Sequence, residues 1–123
     1  MRTTRQQLGE RGERIAGQWL EARGWTILER RFRSGHRDID LVIGRVEAQG
    51  RVVAFVEVKT RASADFGGAL SAVGWQKQRE MARAARAWLS SGRRTGDVYR
   101  FDVVGVLYDS RGFEVTHIEN AFQ

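Results

Sequence analysis

Cysteine and proline are both absent from the 123 residues of this chain, and only two lysines occur. Without cysteine, there can be no disulfide scaffold, no Cys-ligated zinc or iron–sulfur cluster and no thiol nucleophile. The sequence also lacks any apolar run of the roughly 18–20 residues that span a bilayer, and its N-terminus lacks the apolar stretch of a signal peptide. We therefore expect a cytoplasmic protein that does not associate with membranes.

Two further absences narrow the functional classes. His36 and His117 are the only histidines, which are too few for a metal site built on histidine. No Gly-x-x-x-x-Gly-Lys-Ser/Thr loop occurs, which argues against an NTP-hydrolysing machine. No linker, internal repeat or low-complexity segment divides the chain, so we predict one domain over residues 1–123 that is large enough to hold a hydrophobic core.

Positive charge is concentrated in two segments. The chain carries 21 Lys+Arg against 15 Asp+Glu, a formal net charge of +6. Residues 23–37 contain five Arg against Glu29, and residues 76–94 contain Lys77 and five Arg against Glu80. These segments net +4 and +5, so the remainder nets −3. This distribution favours a polyanion-binding protein, although the solvated faces of an arginine-rich protein would also produce it.

Hydrophobic periodicity predicts two amphipathic helices. The first runs from about Gln6 to Arg23, and Gly24 supplies its stop. The second begins between residues 71 and 76 and runs to about Ser90, with Gly92 at its C-terminal cap.

Five segments rich in β-branched and aromatic residues read as strands. They are Trp25–Phe32, Asp38–Gly44, Arg51–Lys59, Val98–Tyr108 and Phe113–Ile118. Short connections make the first three an antiparallel meander, and Ala62–Gly68 reads as an irregular loop. The order α-β-β-β-α-β-β predicts an α+β or mixed-sheet α/β domain in which the second helix is a crossover that permits a parallel strand pair.

Charged residues interrupt two otherwise apolar strands. Asp38 and Asp40 lie in one strand, and Glu57 and Lys59 lie in the next. A period of two places each pair on one face of its strand. The apolar neighbours that then point the other way are Ile39, Leu41, Val56 and Val58. If the strands are neighbours, carboxylates and an ammonium group converge, although a single Glu-x-Lys triplet is more often an ordinary open strand face.

This constellation suits phosphodiester hydrolysis. Mg²⁺ is held by one or two carboxylates together with water and substrate oxygens, and Asp40 and Glu57 meet that requirement. Lys59 would orient or help deprotonate the attacking water and stabilise charge on the phosphorus oxygens. Glu13 and Lys77 fall at the edges of the buried helix faces and would assist, unless they are boundary residues whose charges reach solvent.

Arginines of the two basic segments, together with one that follows the third strand, are the expected contacts to a phosphate backbone. They are Arg30, Arg31, Arg33, Arg37, Arg61, Arg79, Arg83 and Arg86. Trp75 is the tryptophan placed to stack on a base. Asp102 is predicted to pair with an arginine such as Arg100 or to support the site from a neighbouring strand.

At these residues the chain resembles the YraN family of bacterial endonuclease-like proteins, within the PD-(D/E)XK restriction-endonuclease-like superfamily. The matching segments are Gly12-Glu13 with Ala16 and Leu20, GHRDIDLV (Gly35–Val42), FVEVKTR (Phe55–Arg61), Lys77, RFDVV (Arg100–Val104) and HIENAF (His117–Phe122). Three features depart from the pattern. Ile39 replaces the proline, Asp38 replaces a glutamate, and His36-Arg37 is inserted.

The resemblance implies a restriction-endonuclease-like mixed sheet flanked by helices, dependence on Mg²⁺ or Mn²⁺, and hydrolysis of DNA or RNA. It makes Asp40 the PD aspartate, Glu57 the central acid, Lys59 the motif lysine and Glu13 the first-helix acid of related junction resolvases. The expected metal ligands are Asp40, Glu57 and Val58.

Three functions stay open from the sequence. The favoured one is a metal-dependent nuclease that acts on nucleic acid. DNA is favoured over RNA as its substrate, and branched or structured nucleic acid is one option. The second is a nucleic-acid-binding module of nuclease ancestry without turnover, and the third is a protein-interaction domain. A domain this small would need a second copy to grip a two-stranded substrate, which raises a homodimer as an option that no residue pattern proves.

Overall fold

The computed structural model describes residues 4–62, 73–92 and 96–123. Its elements are α1 (Arg5–Ala22), β1 (Thr26–Ser34), β2 (Arg37–Glu47), β3 (Gly50–Ala62), α2 (Trp75–Gly92), β4 (Val98–Asp109) and β5 (Gly112–Phe122). This confirms the predicted order α-β-β-β-α-β-β. Of the predicted loop, Ala62 ends β3, and residues 63–68 lie outside the described residues.

The five strands form one mixed sheet in the order β1-β2-β3-β4-β5. The neighbouring strands are antiparallel except β3 and β4, which are parallel. A parallel pair needs a crossover connection, and the segment that contains α2 supplies it. The predicted meander and parallel pair are therefore confirmed, and the fold class is α/β with a mixed sheet. A single domain over residues 1–123 stays a prediction.

Each helix covers one face of the sheet. Ala16 and Leu20 of α1 pack with Leu41 and other side chains of one face, and Ala84 and Ala85 of α2 pack with Phe55 and other side chains of the opposite face. Strand β3 is therefore buried on both faces, which explains its continuous apolar run where a half-exposed strand would alternate.

Helix α1 approaches β3 closely because residue 12 is glycine. A Cβ at Gly12 would overlap the hydroxyl oxygen of Thr60 and lie 3.0 Å from the Thr60 Cβ. The helix begins at a capping box in which the Gln7 N–H donates to Thr4 Oγ1 at 3.1 Å and the Thr4 N–H donates to Gln7 Oε1 at 2.9 Å. This close packing places Glu13, the next residue, beside the polar end of β3.

The predicted shared face of Ile39 and Leu41 is wrong. Ile39 packs in the cluster under α2, whereas Leu41 packs in the cluster under α1. On the neighbouring strand, Arg31 lies between the paired residues Arg30 and Phe32 and has a φ of 49°, in the left-handed region that side chains rarely adopt. The period of two is therefore interrupted between Ile39 and Leu41, opposite the left-handed residue of β1.

Of the two helices in the described residues, neither is long and apolar enough to cross a membrane. The cytoplasmic location stays a prediction. As expected from the helical wheel, Arg79, Arg83 and Arg86 lie exposed along α2.

Candidate active site where strands β2 and β3 separate

The backbone pairing between β2 and β3 ends at Leu41 and Val56. Asp40 and Glu57 are the next residues on the two strands, so both carboxyl groups lie where the strands part. The Asp40 Oδ2 accepts a hydrogen bond of 2.7 Å from the Val58 N–H, and a side chain thereby satisfies a backbone donor at the end of the ladder. Glu57 is buried, with 4% of its surface exposed.

Asp40 is strongly perturbed by its surroundings. Burial, followed by the charge of Glu57 and a hydrogen bond with Glu57, raises the pKa of Asp40 to about 9. Two neighbouring carboxyl groups in a poorly solvated site resist being ionised at the same time, because their negative charges repel each other. The pair therefore favours an arrangement that holds a proton or a cation between the carboxyl groups.

Two lysines approach this pair from different elements. Lys59 Nζ lies 3.3 Å from Glu57 Oε2, and Lys77 Nζ lies 3.7 Å from the same oxygen. Lys77 also reaches Asp38 Oδ1 at 3.2 Å. Burial opposes the charge of Lys77, but the charges of Glu57 and Asp38 outweigh it, and the pKa of Lys77 is raised. These contacts place four of the charged residues singled out from the sequence at one point, and their catalytic roles stay predictions.

Glu13 lies at the same site but already has a partner. Its Oε2 accepts from Arg31 Nε at 3.2 Å and from Arg31 Nη2 at 2.9 Å, and this contact raises the pKa of the guanidinium group. Glu13, Asp38, Asp40, Glu57, Val58 and Lys77 line one cavity of about 330 Å³. Sequence reasoning assigned Arg31 to phosphate binding, whereas the structure pairs it with the first-helix acid.

The donor atoms at this site suit a hard divalent cation. Within the part of the chain that the structure describes, no group of three or more His, Cys, Asp or Glu side chains is placed to hold a metal ion. The carboxylates of Asp40 and Glu57 are two oxygen donors, and the apolar Val58 has only its backbone carbonyl oxygen to add. Mg²⁺ commonly binds through one or two carboxylates and completes its shell with water and substrate phosphate oxygens, so these residues fit.

The predicted phosphate-binding arginines lie on several sides of the acid pair. Arg61 and Lys59 line a cavity of about 570 Å³. Arg37, Arg79 and Arg83 line another of about 340 Å³. Arg30 and Arg31 line a third, also of about 340 Å³, that reaches Asp40. Arg33 and Arg86 are exposed.

A buried polar network supports the sheet beside the site. Asp102 is fully buried and accepts from Arg100 Nε at 3.0 Å, as the sequence predicted. It also contacts His117 Nε2 at 2.7 Å and accepts from the Asn120 N–H at 2.9 Å. The next residue, Val103, pairs with Glu57 across the β3–β4 ladder. Sequence reasoning missed the links to β5 because they join residues 15 and 18 positions apart.

Comparison with known proteins points to one family. The family described as "Uncharacterised protein family UPF0102" matches residues 12–106. A UPF0102 protein of Geobacter metallireducens is 39% identical over 94% of this chain and 92% of its own length. Those of Chlorobium chlorochromatii and Trichlorobacter lovleyi are 41% and 42% identical, over 94% and 95% of this chain and 91% of each relative.

A solved structure, that of Pyrococcus furiosus SfsA in complex with Ca²⁺, is only distantly similar. It aligns with a TM-score of 0.32 and 13% identity, and the alignment covers 91% of this chain and 62% of that chain. This similarity is too low to support a conclusion about function.

Proposed function

This chain belongs to the UPF0102 family, the one its sequence resembles under the name YraN, and we propose that it is a metal-dependent nuclease. It would hydrolyse phosphodiester bonds in nucleic acid, in DNA in preference to RNA. The observation that carries this proposal is the acid pair of Asp40 and Glu57 where β2 and β3 separate, with Lys59 Nζ 3.3 Å from Glu57. Paired carboxylates beside an ammonium group are the equipment of metal-assisted phosphoryl transfer.

The residues that would hold Mg²⁺ or Mn²⁺ are Asp40, Glu57 and, through its carbonyl oxygen, Val58. Such an ion, when bound, polarises the phosphate and makes a coordinated water more acidic. The raised pKa of Asp40 supports this assignment, because a cation would relieve the repulsion between the carboxylates that a proton otherwise relieves.

Lys59 has two tasks in this proposal. Its ammonium group, anchored by Glu57, orients the attacking water and stabilises the negative charge that builds on the phosphorus oxygens. The water loses one proton to solvent and its oxygen forms a bond to phosphorus, the bond from phosphorus to one ester oxygen breaks, and the leaving oxygen takes one proton from solvent. Lys77 holds Asp38 and Glu57 in position from α2, and Glu13 borders the cavity from α1.

Basic cavities flank the acid pair and give a nucleic-acid strand a path through the site. The cavity that contains Lys59 and Arg61 shares Gly9 and Val58 with the acidic cavity. The cavity lined by Arg37 also adjoins the acidic cavity, because the next residue of β2, Asp38, lines the latter. Arginine forks bind phosphate through paired hydrogen bonds, so cations on both sides would hold the strand while its scissile phosphate faces the carboxylates.

The direct test is cleavage of a labelled panel of single-stranded, duplex, flapped and four-way-junction DNA, together with RNA, in Mn²⁺ or Mg²⁺. We expect metal-dependent products from the wild type and none from Glu57→Gln. Lys59→Ala should cut about 10²–10³-fold more slowly, as when one stabiliser of transition-state charge is removed. Glu114→Gln, at an exposed carboxylate on β5, is the matched control and should cut like the wild type. Equal cutting by the wild type and Glu57→Gln would refute the assignment.

One observation favours a second function, a binding module without turnover. Glu13 is held by two hydrogen bonds from Arg31, so the first-helix acid is engaged in an ion pair between α1 and β1 and is not free to assist a reaction. The same panel decides between the two functions when it is run on native gels. Salt-sensitive complexes without products in any metal would favour the module, and failure to bind any nucleic acid at low salt would favour a protein-interaction domain. Sedimentation with and without duplex DNA tests the homodimer.

A further inference from the structure

Trp75 is exposed at the first turn of α2, beside the proposed active site. Its side chain is 71% exposed, although a large aromatic surface is ordinarily shielded from water. The guanidinium carbon of Arg79, one helical turn along, lies 4.6 Å from the centre of the indole ring. An indole held by an arginine, with most of its surface open, is a stacking platform of the kind that proteins use for unpaired bases.

The platform forms one wall of a basic groove. Trp75, Arg79 and Arg83, spaced by four residues on α2, face His36 and Arg37 across a cavity of about 340 Å³. Three arginines against Glu80 leave the lining with an excess of positive charge. This combination of an aromatic ring and several cations suits a nucleotide, because the base can stack on the ring while the phosphates bind the arginines.

Arg37 provides an independent sign of a missing partner. Its Nε is buried, and no hydrogen-bond acceptor contacts it among the described residues. A buried donor without an acceptor destabilises the protein, and such donors are rare outside sites that bind something. Arg37 lines the groove, so a rotation of its side chain would let a phosphate oxygen bound there accept from this N–H.

The groove adjoins the cavity that contains the acid pair, because residues next to its lining, Asp38 and Lys77, line that cavity. Asp38 follows Arg37 and Lys77 follows Gln76, so the ion pair of 3.2 Å between Asp38 and Lys77 joins the two walls of the groove. Lys77 also lies 3.7 Å from Glu57. A nucleotide in the groove would therefore lie next to the phosphate that faces the carboxylates.

We propose that this groove holds an unpaired nucleotide next to the scissile phosphate, with its base stacked on Trp75. The proposal rests on the proposed nuclease function and specifies its substrate class as single-stranded or locally unpaired nucleic acid. Inside a duplex both faces of a base are covered by its neighbours, so an indole can stack only on a base that is unpaired, terminal or turned out of the helix.

The test measures binding separately from cleavage. Full-length chains that carry Glu57→Gln, with chelator present, are titrated by fluorescence anisotropy against a labelled single strand and a labelled duplex whose two ends are closed by non-nucleotide linkers. Single strands of DNA and of RNA are both titrated, and the variants are compared by their dissociation constants for whichever strand binds more tightly. Trp75→Ala should weaken single-strand binding about 5- to 150-fold and leave duplex binding within twofold, and Trp75→Phe should restore most of the loss.

Phe113→Ala is the matched control. Phe113 is also an exposed aromatic ring under an arginine, with Arg11 at 4.9 Å, but it lies on β5. This variant should bind both ligands like the parent chain. Equal losses for single strand and duplex in Trp75→Ala, or no loss at all, would overturn the proposal. A different result is possible, in which Trp75→Ala loses single-strand binding but not duplex binding, while the chain with Glu57 intact shows no metal-dependent cleavage. That result would support the groove and reject the nuclease function.

Discussion

The contact between Gly12 and Thr60 predicts opposite effects for two alanine substitutions in the same helix. In a helix interior, Gly→Ala normally stabilises by about 0.8–1.0 kcal/mol. Gly9 has no atom within 4 Å of where its Cβ would lie, so Gly9→Ala should show this gain. At Gly12 the new methyl group would overlap the Thr60 hydroxyl oxygen, and overpacking of this kind destabilises by about 1–3 kcal/mol. The helix-propensity gain applies at both positions and cancels in the comparison. We therefore expect Gly12→Ala to be less stable than Gly9→Ala by the overpacking cost alone, about 1–3 kcal/mol.

Urea denaturation measures this difference, provided that both variants unfold with the same slope as the wild type. Thr60→Ala removes the overlapping oxygen, so the double variant Gly12→Ala/Thr60→Ala should regain part of the loss as a favourable coupling energy of about 0.5–3 kcal/mol. Gly12→Ala should also cut nucleic acid more slowly while still folded, because a displaced α1 carries Glu13 away from the acid pair. Equal stability of Gly9→Ala and Gly12→Ala would refute the close approach of α1 to β3.

Three other outcomes are expected. In metal-free protein, the raised pKa of Asp40 means that the folded state retains a proton that the unfolded state loses, so stability falls as pH rises from about 4 towards 9. Asp40→Asn should therefore match the wild type near pH 4 and exceed it by up to roughly 4 kcal/mol at pH 7 in urea titrations, and a gap that does not change with pH would contradict this. Millimolar Mn²⁺ should raise the melting temperature of the wild type and leave that of Asp40→Asn unchanged, whereas equal shifts would place the ion elsewhere. Asp102→Asn should lower the free energy of unfolding by about 3–5 kcal/mol because it leaves Arg100 without its buried partner, while the exposed Glu114→Gln should change it by less than about 0.5 kcal/mol.

The elements of the fold were predictable because their signals are local. Gly24, which ends α1 in the sequence prediction, has a φ of 92° that favours glycine, and its N–H donates to the Glu21 carbonyl. The apolar run of β3 predicted a strand, and the length of chain between β3 and β4 allowed their parallel pairing. These patterns need no knowledge of which residues meet in space.

The site was predictable only in part. Glu57 and Lys59 belong to one strand, so their proximity follows from the period of two, and the helical wheel turned Lys77 towards the sheet. The pairing of Glu13 with Arg31 was not accessible in this way, because it joins residues 18 positions apart on α1 and β1. Ile39 and Leu41 also lie in the clusters of opposite faces, which no rule of strand alternation anticipates.

The hydrogen bond from the Val58 N–H to Asp40 has a consequence for how such a protein changes over generations. Asp40 closes the end of the sheet as well as serving the acid pair, whereas Glu57 has no comparable bond to the backbone in the described residues. If the proposed cleavage were no longer needed, the requirement for an acid at position 57 in metal binding would disappear, whereas position 40 would still require Asp or Asn, since either keeps an acceptor for the backbone. An Asp or Asn inherited at position 40 thus records a requirement of folding, and the acid at position 57 is the better indicator of selection for the proposed cleavage.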